Sequence, residues 1–68
     1  METISLKQAI EKCGYGFRSL SLHSDGRWIA KSGAKAKPPS KLFTGTTPFE
    51  AVEKLLSALG YPVEIKEA

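Results

Sequence analysis

Apolar and polar positions alternate with two different periods along this chain. Leu6, Ala9, Ile10 and Cys13 recur at i, i+3, i+4 and i+7, while Lys7, Gln8, Glu11 and Lys12 fall on the opposite side. That spacing predicts an amphipathic helix over about residues 6–13. Ser5-Leu6-Lys7-Gln8 reads as a capping box at its start, and Gly14, followed by Gly16, ends it. So short a helix is marginal alone and needs packing to hold it. From Phe17 to His23 the period drops to two: Leu20 and Leu22 on one side, Ser19, Ser21 and His23 on the other. Trp28 to Lys31 is the natural partner strand, turned at Ser24-Asp25-Gly26.

The turn decides which side chains meet. A two-residue turn at Asp25-Gly26 would pair Leu22 with Ile29 and set Trp28 beside His23. A three-residue loop with a left-handed Gly26 would pair Leu22 with Trp28 and Leu20 with Ala30. The second is preferred. It gathers Leu20, Leu22, Trp28 and Ala30 on one face and Ser19, Ser21, His23, Arg27 and Lys31 on the other, with only Ile29 misplaced. A slip of one residue reverses the faces of the second strand.

Ser32 to Ser40 reads as a loop, broken by Gly33 and Pro38-Pro39. Its alternating lysines and alanines predict a flexible basic segment over about residues 32–41. Lys41-Leu42-Phe43-Thr44 is a short third strand with Phe43 or Leu42 inward, ended by Gly45. Thr47-Pro48-Phe49-Glu50 opens a second helix. Thr47 is the N-cap, Pro48 needs no donor at N1, and Glu50 at N3 reaches back to the cap. Phe49, Val52, Leu55, Leu56 and Leu59 form its apolar stripe, and Glu50 and Lys54 an i,i+4 pair. Gly60 and Pro62 stop it. Val63 and Ile65 suggest an edge strand or a docked tail. The expected fold is α+β: helix, β-hairpin, short third strand, helix, with a small antiparallel sheet packed by two helices.

Sixty-eight residues make one domain, 1–68, with a thin stability margin. Self-association is one way for so small a core to gain burial, so a homodimer is an open expectation. No run is apolar enough to span a membrane, and the N-terminus lacks a signal-peptide core. A single cysteine, Cys13, forms no internal disulfide, which fits a reducing cytoplasm. The net charge of +3 is unevenly spread. Residues 1–26 balance. Residues 27–45 hold Arg27, Lys31, Lys35, Lys37 and Lys41 with no acid. Residues 46–68 are net acidic.

Catalysis finds little to work with. His23 is the only histidine, and its simpler reading is an exposed residue beside a turn. Cys13 lies on an apolar helix face, where it is as readily a small hydrophobe as a nucleophile. One His and one Cys are too few for a metal site. No enzyme activity and no cofactor are expected. The acid-free segment, with His23 nearby, is instead a candidate partner-binding surface: Arg27, Lys31, Lys35, Lys37, Lys41 and His23. Its leading partner is a protein with an acidic surface, and nucleic acid is the alternative. The element order is that of double-stranded-RNA-binding domains. In those, however, the second helix meets phosphate at its N-terminus, and here it carries Glu50 and Glu53 in its first two turns. A lysine-rich loop is also, more simply, a solvated loop.

Ser24-Asp25-Gly26-Arg27-Trp28 and the run Gly45 to Leu56 (Gly-x-Thr-Pro-x-Glu-Ala-Val-x-x-Leu-Leu) resemble the small α/β/α "phage sandwich" proteins of bacteriophages and prophages. The resemblance covers about residues 5–60 and carries no catalytic residues. It implies a phage or prophage accessory protein that acts by binding a host or phage component. It also implies helices on opposite faces of the sheet, which would bury Ile29.

Overall fold

The computed structural model describes residues 2–37 and 39–66. Strand β1 (Glu2–Ile4) leads into helix α1 (Leu6–Cys13), then a 3₁₀ turn (Gly14–Gly16). Strands β2 (Phe17–Leu22), β3 (Trp28–Ser32) and β4 (Leu42–Gly45) follow, then helix α2 (Pro48–Ala58) and strand β5 (Val63–Ile65). The strands make two sheets. One is antiparallel, in the order β2-β3-β4; the other is the parallel pair β1-β5.

Local chemistry accounts for both helices. Ser5 Oγ accepts the Gln8 N–H (3.1 Å) and Gln8 Oε1 accepts the Ser5 N–H (3.0 Å), closing the expected box. Thr47 Oγ1 accepts the Glu50 N–H at 3.1 Å. Glu50, however, does not reach back to the cap. Its carboxylate takes the hydroxyl of Thr46, just before the cap, at 3.0 Å and lies 3.4 Å from Lys54 Nζ, one turn on along α2. At the other end Tyr61 donates to the Leu56 carbonyl and Gly60 to that of Ser57. This is the double bond of a Schellman stop, with Gly60 at C′ as the sequence indicates.

The hairpin takes the three-residue turn. Leu22 pairs with Trp28 and Leu20 with Ala30. Gly26 sits at φ +90°, and Gly26 and His23 close the turn through backbone bonds to His23 and Arg27. A bulge at Arg18 shifts the register, so that Phe17 faces Ser32. Strict alternation would send Phe17 outward with Ser19 and Ser21; the bulge turns it onto the core side, where it packs.

Helix α2 is the hub. It packs on β3 and β4, on β5 and on α1. Val52, Leu55 and Leu56 are fully enclosed, with Ala9, Ala30 and Ala51 completing the close contacts. Ile4, Cys13, Val63 and Ile65 extend the core to the parallel pair. β1 was not foreseen, and residues 63–65 are a strand rather than a docked tail. Of the pair expected to break the loop, Pro38 lies outside the described residues and Pro39 sits in a turn. The helices do not flank the sheet as a sandwich would have them. α2 covers one face, and on the other Ser19, Ser21, Leu42 and Thr44 are all exposed.

Candidate interaction surface

The uncovered sheet face is built by register. Ser19, Lys31 and Leu42 form one row across β2, β3 and β4; Ser21, Ile29 and Thr44 form the next. Side chains of alternate residues share a face. Ile29 and Lys31 are therefore on the open side, half-buried only by their neighbours. Leu42 is 56% exposed. Phe43, its neighbour in β4, is the inward residue. Two aliphatic side chains thus sit among serines, a threonine and one lysine.

The six basic candidates do not converge on this face. Arg27 does not stand free. Its Nε donates to Asp25 Oδ2 at 2.7 Å, and its backbone N–H donates to Asp25 Oδ1 at 3.1 Å. Those two bonds, backbone first, hold the Asp25 carboxyl below its ordinary range. The arginine is a brace for the turn and its charge is locally offset. His23 is exposed beside the turn, and Lys31 is in the middle of the face. Lys41 lies with its Nζ 5.7 Å from the Phe43 ring centre, on the side of the inward residue rather than with Lys31. Lys35 and Lys37 are exposed on the connecting loop.

That loop is more organised than its composition suggests. At its base Ser32 N–H meets the Lys41 carbonyl, and Ser32 Oγ accepts the Lys41 N–H at 2.8 Å. Gly33 accepts from Ala36 and Ser40 and donates to Gly16. Ala36 is buried, near Gly16 at the end of the 3₁₀ turn. Backbone bonding and one alanine methyl, not the lysine side chains, hold the described residues 32–37 and 39–41 together. The burial of Ser32 at the end of β3 leaves no mark in the sequence, where the alternating Lys-Ala pattern points to a solvated loop.

Elsewhere several polar groups are engaged in structure. Glu53 Oε1 accepts the Ile65 N–H at 2.7 Å, capping the outer edge of β5. Lys54 Nζ donates to the Thr44 carbonyl at 2.8 Å, on the outer edge of β4. Glu50, hydrogen-bonded by Thr46 and Lys54, is held below the usual carboxylate range. These carboxylates line a shallow groove between α2 and β5. Cys13 is buried at the end of α1, and burial raises its thiol pKa, away from a nucleophilic thiolate. Among the described residues no group of three or more His, Cys, Asp or Glu side chains could hold a metal ion. No helix among them is long and apolar enough to cross a membrane. Compared with known protein families, curated proteins and solved structures, the chain gives no match.

Proposed function

We propose that this chain is a non-enzymatic binding module, a phage or prophage type of accessory protein of the bacterial cytoplasm, that docks a host or phage protein on the open face of its three-stranded sheet. The phage context rests on the resemblance of residues 24–28 and 45–56, which form the hairpin turn and the capped start of α2. One observation supports the binding surface: a sheet face that neither described helix covers, with Ile29 and Lys31 on its central strand and Leu42 beside Lys31 on the edge strand β4. Aliphatic anchors ringed by polar groups suit a protein partner, and Lys31 with the loop lysines Lys35 and Lys37 favours an acidic one. The basic residues are spread over two faces and a loop, and Arg27 is paired, so they form a poorer track for a phosphate backbone.

The test is retention of one defined protein from a bacterial lysate by immobilised wild type, compared with Leu42→Glu and Leu22→Glu. Leu42 is on the open face and Leu22 is on the other, so only Leu42→Glu should abolish retention. Equal retention by all three rules out this face. In parallel, a mobility shift with oligonucleotides at low salt, weakening steeply as salt rises, would replace the protein reading with nucleic-acid binding.

A further inference from the structure

The four outer strand edges differ in how they are finished. On β5 the Ile65 N–H is taken by Glu53, and on β4 the Thr44 carbonyl is taken by Lys54. β1 is only three residues long. β2 is the longest strand among the described residues, with six, and no side chain among them guards its outer edge in this way. The His23 N–H donates to Arg27 at the turn. By the alternation of an antiparallel ladder, Ser19 and Ser21 then direct their backbone groups to β3, and Leu20 and Leu22 direct theirs to solvent. The bulge at Arg18 interrupts the start of the strand and leaves Ser19 to Leu22 as a segment in regular register with an open outer edge. No lysine, proline or inward charge interrupts it, and those are the usual devices that keep an edge from pairing.

We infer that β2 pairs antiparallel with β2 of a second copy of this chain, about a two-fold axis at Ser21, joining two three-stranded sheets into one of six strands. Three features of the strand point to its own copy as the occupant. First, the register is self-complementary. Leu20 of each copy faces Leu22 of the other, and the outward backbone groups of both residues are satisfied in two hydrogen-bonded rings. Second, Leu22 is 58% exposed on the side that otherwise faces the core, because α2 packs over β3 and β4 and not over this strand end. Leu20 of the second copy would cover it. Third, the strand is neutral from Ser19 to Leu22, so it does not repel itself. At its ends the same register brings Arg18 of one copy beside Asp25 in the turn of the other. The pairing does not cover Ile29 or Leu42 and makes the open face continuous across both copies. It therefore stands whether or not that face binds a partner.

Four backbone bonds and two leucine pairs bury well under a standard interface, so a dissociation constant of roughly 0.1 mM is expected. Sedimentation velocity up to about 1 mM should show a reversible dimer for wild type. Ser21 is exposed and meets its own copy on the axis. Ser21→Lys and Ser21→Glu should each be monomeric, with an unchanged far-ultraviolet circular dichroism spectrum, and an equimolar mixture of the two should dimerise again. As a positional check, Ser21→Cys should cross-link on oxidation, since opposed non-hydrogen-bonded positions lie about 4.5 Å apart. Thr44→Cys, on the same face of β4, should not cross-link. A wild type that stays monomeric throughout, or a dimer that folded Ser21→Lys fails to dissociate, overturns the pairing. Either result would leave the β2 edge to a strand from a different chain.

Discussion

The two faces of the β2-β3-β4 sheet are made from the same three strands and differ in almost every other respect. The covered face carries Trp28, Ala30, Phe43 and Gly45. Ala30 is fully enclosed, and at Gly45 an added Cβ would lie 2.8 Å from the Ala51 backbone nitrogen. The open face carries Ser19, Ser21, Lys31, Thr44, Ile29 and Leu42. On the first face, small residues under α2 let helix and sheet approach closely, and burial supplies the stability. On the second, side chains meet only their cross-strand neighbours. In a chain this small, one face makes the fold and the other is free for use.

The largest expected effect tests that division. Leu55 is fully buried and Leu42 is mostly exposed, though both are leucines. Leu55→Ala should cost about 2–5 kcal/mol, a large part of the stability of so small a domain. Leu42→Ala should cost less than about 0.5 kcal/mol. Urea denaturation midpoints measure both. Similar losses would mean that the open face is part of the core after all.

A smaller effect concerns close approach. Gly45→Ala must push against the Ala51 nitrogen and the Glu50 Cβ, the latter 2.9 Å away, and neither is a flexible side-chain end. Separating α2 from β4 should cost about 1–3 kcal/mol. Gly26→Ala meets nothing within 4 Å but must hold φ near +90°, a strain of about 1–2 kcal/mol. Gly45→Ala is expected to be the worse of the two by thermal melting. The reverse order would place the tighter of these two constraints in the turn, not under the helix.

How much of this could be read in advance follows from the range of each interaction. The helices were legible because their signals are local: Ser5 with Gln8, Thr47 with Pro48, and the stripe from Val52 to Leu56. The hairpin register was legible because the tighter turn would have taken Trp28 and Ala30 off the face that carries Leu20 and Leu22. β1 was not legible. Three residues show no period, and their partner, Val63–Ile65, lies at the other end of the chain. The bulge at Arg18 breaks the alternation that sequence reading depends on. For the candidate surface, Lys31 was placed correctly on the outer side. Arg27 and Lys41 instead turn to Asp25 and Phe43, each two residues away, and a charge count over 27–45 does not show this because Asp25 lies just outside the segment and Phe43 is neutral.

The last prediction concerns how the open face responds to acid. Below the ordinary carboxylate range α2's buried contacts do not change, but the hairpin turn does. Asp25 accepts the Arg27 N–H and pairs with its guanidinium, so its folded pKa is depressed. A depressed carboxylate contributes its full stability above its unfolded pKa, about 3.9, and loses it as pH falls through the lower folded value. Glu50 is depressed too, through Thr46 and Lys54, so acid destabilisation of the wild type alone would mix two carboxylates. Asp25→Asn separates them. It keeps an oxygen for the Arg27 N–H, removes the charge together with the acceptor for Arg27 Nε, and leaves Glu50, which shares no hydrogen-bond partner with Asp25, unchanged. The melting temperature of wild type minus that of Asp25→Asn should be positive and level at neutral pH. It should shrink below the unfolded carboxylate pKa and reach its floor below the folded one. Salt should reduce it, since both side chains of the pair are at least half exposed. A difference independent of pH would mean that the hydrogen bond to the Arg27 backbone alone orders the turn. Arg27 would then be free to act with Lys31 on the open face.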